Sequence, residues 1–246
     1  MLQTLAAVLG IENHPVSHRE RLVSGIGACL AIMMVYAASR FFLPPSESVL
    51  MVASMGASAA LLFSVPHGAL SQPWPFVAGH VVSALAGVGC AKLLAGSFWA
   101  APLAVGVAVL AMHYLRCLHP PGGGTALIAV MGGPAIAGLG FGFVLTPVLL
   151  NAAILLACAV LFNSVFAWRR YPAFLARTRE ERLAVAVPLT GVAAPPAIAH
   201  EDFVYALSQI DTFIDVTEDD LVRIYGLATR RARSAAVIKE NAARIA

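Results

Sequence analysis

The chain has 246 residues, 59% of them hydrophobic and 12% charged, with a mean hydropathy of +0.81 and a formal net charge of +3. Between Leu22 and Trp168 the charged residues are Arg40, Glu47, Lys92 and Arg116, whereas 11 basic and 10 acidic residues follow from Arg169 onward. The first two-thirds cannot supply the polar shell of a soluble domain, and the few positives offer no surface for nucleic acid, so the composition points to an integral membrane protein with a polar tail.

In chain order, Leu2 to Leu9 is apolar but too short to cross a bilayer, and residues 1–18 are expected to be cytoplasmic or interfacial. No basic, apolar and cleavable succession marks a signal peptide. Ser17 and Glu20 have the spacing of a capping box, which predicts a helix start, and Leu22–Ser39 is about long enough to span. Arg40 and Pro44-Pro45 end it. Further apolar segments run over Ser48–Phe63, Phe76–Leu94, Phe98–Leu115, Thr125 to about Met131, and Gly138–Trp168, the last being the longest. Trp74, Trp99 and Trp168 stand at segment ends, as in an interfacial aromatic belt. Cys29, Cys90, Cys117 and Cys158 form no C-x-x-C pair and read as reduced, packed thiols.

Basic residues precede the first segment (Arg19, Arg21) and follow the last (Arg169, Arg170, Arg177, Arg179, Arg182), which places both termini in the cytoplasm. The number of crossings is then even. Six full spans, or four with two re-entrant segments, both satisfy this, and six is the expectation. An offset of 76 residues lays the twenty residues from Arg40 on those from Arg116 with seven identities, among them the arginine, Pro-Pro and Met-Gly. Two related halves, about 19–95 and 96–168, follow. Interrupted segments at matching places in repeated halves are where transporters place binding sites.

The stretch R-C-L-H-P-P-G-G-G-T from Arg116 to Thr125 is the most unusual in the chain. Prolines cannot continue a helix and glycines let the backbone approach a ligand. Such backbone survives in lipid only where protein or a wet cavity satisfies it. A helix starting after Gly122, Gly123 and Gly124 would present amide N–H groups and the positive end of its dipole. Arg116, His119 and Thr125 beside those glycines would complete a site for a small anion. Close helix packing is the competing account of the glycines, and snorkelling that of Arg116. Arg40 and Glu47 are candidates for a gate or counter-charge. His80 is a satisfied hydrogen-bonder or a proton carrier, with His67 a further candidate in a polar relay. The six-residue separation of His113 and His119 argues against a metal site on one helix face. No triad or paired carboxylates suggest an enzyme, and no cofactor is expected.

L-H-P-P-G-G-G-T-A-L, with the preceding M-G-A-S-A-A-L-L-F-S-V-P-H-G-A-L-S-Q-P-W and V-A-G-H-V-V-S-A-L, resembles the HPP family of integral membrane proteins over roughly residues 19–168. That resemblance implies a small multi-span domain, usually of four transmembrane helices, and a transport role. Plastid and cyanobacterial members act in nitrite transport. Other members carry regulatory domains such as CBS pairs, for which this chain has no room. Its His67-Gly68 stands where relatives often have small residues.

The tail, 171–246, reads as a cytoplasmic linker with Ala-Pro-Pro-Ala at 194–197 and two helices, His200–Ile210 and Glu218 to about Asn241. Thr217 and Asp220 have capping-box spacing, and Arg230, Arg231 and Arg233 are candidates for anionic lipid. The expected protein is an all-α polytopic bundle in a bacterial inner membrane, homo-oligomeric, with short or broken helices. It would carry a small anion, nitrite being the family-implied example. The alternative is a membrane sensor or scaffold that signals through its tail.

Overall fold

The computed structural model describes residues 17–175, together with Leu221 and Tyr225. The expected interfacial stretch at the N-terminus lies outside these residues. So do the linker, the first tail helix, the Thr217 cap, all of the second tail helix but Leu221 and Tyr225, and the Arg230–Arg233 cluster. The described residues form helices α1 His18–Phe42, α2 Pro45–Ser64, α3 Pro73–Leu93, α4 Ala100–Tyr114, α5 Pro121–Met131, α6 Pro134–Leu139 and α7 Leu150–Ser164. A 3-10 turn, Ala69–Ser71, leads into α3, and a wide helical turn, Val144–Leu149, leads into α7.

Each start has a local cause. Ser17 caps α1, its Oγ accepting from the Glu20 amide at 3.2 Å, as the sequence predicts. Pro45, Pro73, Pro121 and Pro134 stand in the opening turns of α2, α3, α5 and α6, where a missing N–H costs nothing and φ is already set. Three segments therefore begin three or four residues before the apolar runs at Ser48, Phe76 and Thr125 suggest. The expected last helix is interrupted instead. Gly140 has φ +51° and Thr146, before Pro147, leaves helical geometry, so the longest helix is α1 and not the C-terminal one.

Side-chain pairings fix the direction of each helix. Glu47 meets Ala135 and Ser54 meets Thr125, so α2 and α5 run antiparallel. A Cβ on Gly79 would meet His119 and one on Gly87 would meet Ala126, so α3 and α5 run parallel. Ser39 meets Asn151 while Glu20 meets Arg169, so α1 and α7 are antiparallel. The chain passes between its two faces six times, but not as six full spans. Four segments are long and apolar enough to cross a membrane: His18–Phe42, Pro45–Ser64, Pro73–Leu93 and Val144–Ser164. The 15 residues of α4 and 11 of α5 rise only about 22 and 16 Å, against a hydrocarbon core of about 30 Å.

Small residues let these helices approach. A Cβ on Gly87 would fall 2.6 Å from the Ala126 carbonyl oxygen, and one on Gly122 2.6 Å from Ser83 Oγ. Backbones that close gain dispersion contacts, the main source of helix association in lipid. The outward faces carry large apolar residues instead, among them Leu22, Met33, Leu110 and Leu161.

Candidate functional site

The short reach of α5 leaves depth to be filled by the chain before it. Residues 115–120 fold as a turn in which Arg116 takes φ +52°, and its amide and that of Cys117 bond back to the carbonyls of His113 and Met112. This turn carries His119 inward to Ser58, six residues inside the end of α2, and to His80, seven residues inside α3. Helical rise puts both partners about 10 Å below the helix ends. The interruption expected from the prolines and glycines is thus present at depth.

There the side chains form a continuous ladder. His119 Nδ1 lies 2.9 Å from the Leu70 carbonyl, and its Nε2 lies 2.9 Å from Ser58 Oγ. Ser58 Oγ lies 2.8 Å from His80 Nε2, and His80 Nδ1 2.7 Å from Thr125 Oγ1. Thr125 Oγ1 lies 2.7 Å from Ser54 Oγ, which lies 3.0 Å from the Pro121 carbonyl. Ser58, His80, His119 and Thr125 are 0% exposed. The imidazoles stand 5.0 Å apart at 59°, and Phe76 sets its edge against both. Every ring nitrogen and hydroxyl in the ladder has a partner, which is what makes such a group tolerable inside an apolar bundle.

Of the residues expected at the site, His80, His119 and Thr125 come together in this ladder. Gly122, Gly123 and Gly124 flank it but do not form the expected cradle of bare amides. The Gly122 and Gly123 N–H groups donate to the carbonyls of His119 and Pro120 at 2.9 and 3.0 Å. Gly122 is a packing residue, pressed on Ser83 and the Gly79 carbonyl, and Gly124 faces Ser54 at ordinary contact distance. Arg116 is exposed and lines a cavity of about 250 Å³ with Ala69, Leu70, Pro75, Met112, His113 and Leu118. Leu70 is common to cavity and ladder: its carbonyl bonds His119 and it lines the cavity with Arg116.

The expected gate is not assembled. Glu47 lies eleven residues along α2 from Ser58, roughly 16 Å by helical rise, toward the end opposite Arg116. Its Oε1 instead accepts from the Ala135 amide at 3.2 Å at the start of α6, beside Gly133. Arg40 is exposed in the last turn of α1. Among the described residues the ion pair is Arg169–Glu20. His67 is also outside the ladder: its Nε2 lies 3.0 Å from the Arg170 carbonyl, tying the loop before α3 to the chain after α7. No cluster of His, Cys, Asp or Glu that could hold a metal occurs among the described residues.

The sequence reading missed Ser54, Ser58 and the Leu70 carbonyl. The serines had a signal: their spacing of four in M-V-A-S-M-G-A-S puts both hydroxyls on one face of an otherwise apolar helix. The Leu70 carbonyl had none, since any residue supplies one.

Residues 13–172 match the family described as HPP, transmembrane region. Two transmembrane proteins of Dictyostelium discoideum are each 37% identical, one over 132 and the other over 133 residues. Each match covers 52% of this chain and 42% or 46% of the relative, so the chain spans less than half the length of these relatives. No solved structure matches the chain. With the matched region taking in every helix from α1 to α7, this is a membrane protein of the HPP family.

Proposed function

We propose that this domain carries a small solute across the membrane through the interface of α2, α3 and α5. One observation supports the reading above others: a broken segment brings His119 to His80 at depth, next to a cavity whose rim holds Arg116. Buried polar side chains in membrane helices are costly and mark solute or ion paths. The antiparallel α2 and α5, each opened by the second proline of a Pro-Pro pair 76 residues apart, suit inverted halves with the pathway between them. Arg116 and His113 at the cavity favour a small anion, and nitrite, known for relatives in plastids and cyanobacteria, is the substrate to try first. Both termini, with their flanking arginines, are assigned to the cytoplasm of a bacterial cell.

Flux of nitrite into proteoliposomes holding the full chain tests this. Arg116→Ala is expected to weaken uptake at low substrate and His119→Ala to abolish it. Unchanged flux in both variants rejects the pathway. An absence of flux for nitrite and other small anions in the wild type favours the sensor or scaffold instead.

A further inference from the structure

The ladder has a direction, and this direction counts protons. A carbonyl only accepts, so His119 donates from Nδ1 to Leu70. When His119 is neutral its Nε2 is then an acceptor, and the ladder stays joined when Ser58 donates to it at 2.9 Å and not to the Ser54 carbonyl at 3.4 Å. Ser58, its proton committed, accepts from His80 Nε2–H. His80 Nδ1 then accepts from Thr125, and Thr125 accepts from Ser54. The neutral ladder is thus polarised from Ser54 towards His119.

The reverse polarity holds one proton more and makes one bond more, Ser54 to the Pro121 carbonyl, which the neutral polarity leaves unmade. Ser54 donates to the Pro121 carbonyl, Thr125 to Ser54, His80 Nδ1–H to Thr125, and Ser58 to His80 Nε2. His119 then donates from both nitrogens, to Ser58 and to Leu70, and is an imidazolium. A proton delivered at the Ser54 end interconverts the two states. Ser54 passes its own proton to Thr125, Thr125 to His80 Nδ1, His80 releases Nε2–H to Ser58, and Ser58 passes its own to His119 Nε2. One proton enters, each group hands on one, and one positive charge arrives at His119.

We infer that this ladder is a one-proton relay and that the proton is the coupling ion of the transport proposed above, on which the coupling half of the inference rests. The charge arrives at His119, whose Nδ1 bonds the Leu70 carbonyl, and Leu70 also lines the cavity that holds Arg116. The surroundings leave the charge to the ladder itself. From α3 the rings meet Phe76, and Ser83 lies on the same helix face. Between α4 and α5 stand Met112 and the buried Cys117. His113 and Arg116 line the cavity with Leu70. Among the described residues no carboxylate bonds to the ladder, and Glu47 bonds through Oε1 to the start of α6, its Oε2 buried without a partner.

The full chain in lipid vesicles, with ¹⁵N-labelled histidine, reads both states by solid-state NMR. At alkaline pH the expectation is Nδ1–H on His119 and Nε2–H on His80. On acidification His119 charges while His80 remains neutral and moves its proton to Nδ1. Ser58→Ala is expected to uncouple the two rings, so that His80 no longer switches, and Ser58→Thr to retain the switch. The same variants in proteoliposomes with an internal pH dye are expected to lose and to keep proton entry with nitrite. A His80 tautomer that stays fixed while His119 charges overturns the relay. Nitrite flux without proton movement overturns the coupling and leaves the transport reading standing. Tautomer switching in a chain that moves no anion removes the transport reading and leaves the relay.

Discussion

Two buried polar networks hold this bundle, and they are made of different kinds of group. The ladder between α2, α3 and α5 is built from Ser54, Ser58, His80, His119 and Thr125, each of which both donates and accepts. The other gathers on Arg169, just past α7, which is 1% exposed. Its guanidinium donates to Glu20 and Ser24 of α1, to the Phe63 carbonyl of α2 and to Asn163 Oδ1 of α7. Trp168 Nε1 adds a 2.7 Å bond to Glu20 Oε2. Arginine only donates; carboxylate and carbonyl only accept. This network has one polarity and no means of reversing it, so its work is to clamp three helix ends together. The buried Tyr171 hydroxyl beside it, which burial pushes well above its ordinary pKa, stays protonated and keeps donating to the Ser71 carbonyl at 2.7 Å. Donor chemistry, not burial, separates a clamp from a relay.

Breaking the clamp is expected to have the largest effect on stability. Arg169→Ala leaves Glu20, the Phe63 carbonyl and Asn163 without their common donor. Losing one partner of a buried ion pair costs about 3–5 kcal/mol. Arg169→Lys is expected to recover little, because an ammonium on one stem cannot reach four acceptors as a planar fork does. Thermal unfolding of the purified protein in detergent reads both. If Arg169→Ala unfolds like the wild type, the network at this end is ornamental and the contrast with the ladder fails.

Much of the bundle was legible beforehand because its causes are local. Apolar runs located all the long helices, and Ser17-x-x-Glu20 located a start to the residue. His119 and Thr125 were legible as candidates because prolines and glycines interrupt a span beside them, and both lie in the ladder. Long-range partners were not legible. Whether Gly122 meets a ligand or Ser83 depends on where α3 runs, and Glu47 reads alike as a gate or as a cap for α6 until the chain is folded. Arg169 read as a topological signal, and nothing near it in sequence indicates that α1 closes over it.

The wall of the ladder can be tested at neighbouring glycines. A methyl group at Gly122 would lie 2.6 Å from Ser83 Oγ and 3.0 Å from the Gly79 carbonyl, and backbone cannot give way cheaply. Gly122→Ala is therefore expected to cost about 1–3 kcal/mol as overpacking. At Gly124 the nearest atom would be Ser54 Cβ at 3.6 Å, an ordinary contact, so Gly124→Ala is expected to unfold close to the wild type. Equal losses in the two variants would mean that the glycines serve the backbone of the turn, and not the approach of α3.

Among the hydrogen-bonded groups, the smallest effect on stability is expected within the ladder itself, at Ser54. Its hydroxyl closes the far end, between Thr125 Oγ1 and the Pro121 carbonyl. Ser54→Ala leaves Thr125 free to donate to His80, which is the polarity of the neutral ladder. Thr125 Oγ1 loses its donor in that polarity, and the Pro121 carbonyl loses its donor in the charged one. Single hydrogen bonds between membrane helices average about 0.6 kcal/mol, so a loss of that order is expected in thermal unfolding. In the same variant, Thr125 has no hydroxyl to receive its proton in the charged polarity, so acid-driven switching of His80 should be impaired. The clamp predicts the opposite pairing, a large loss of stability with no tautomer switch to lose. A Ser54→Ala protein that is badly destabilised yet still switches would make the ladder a clamp as well, and the distinction drawn from donor chemistry would fall.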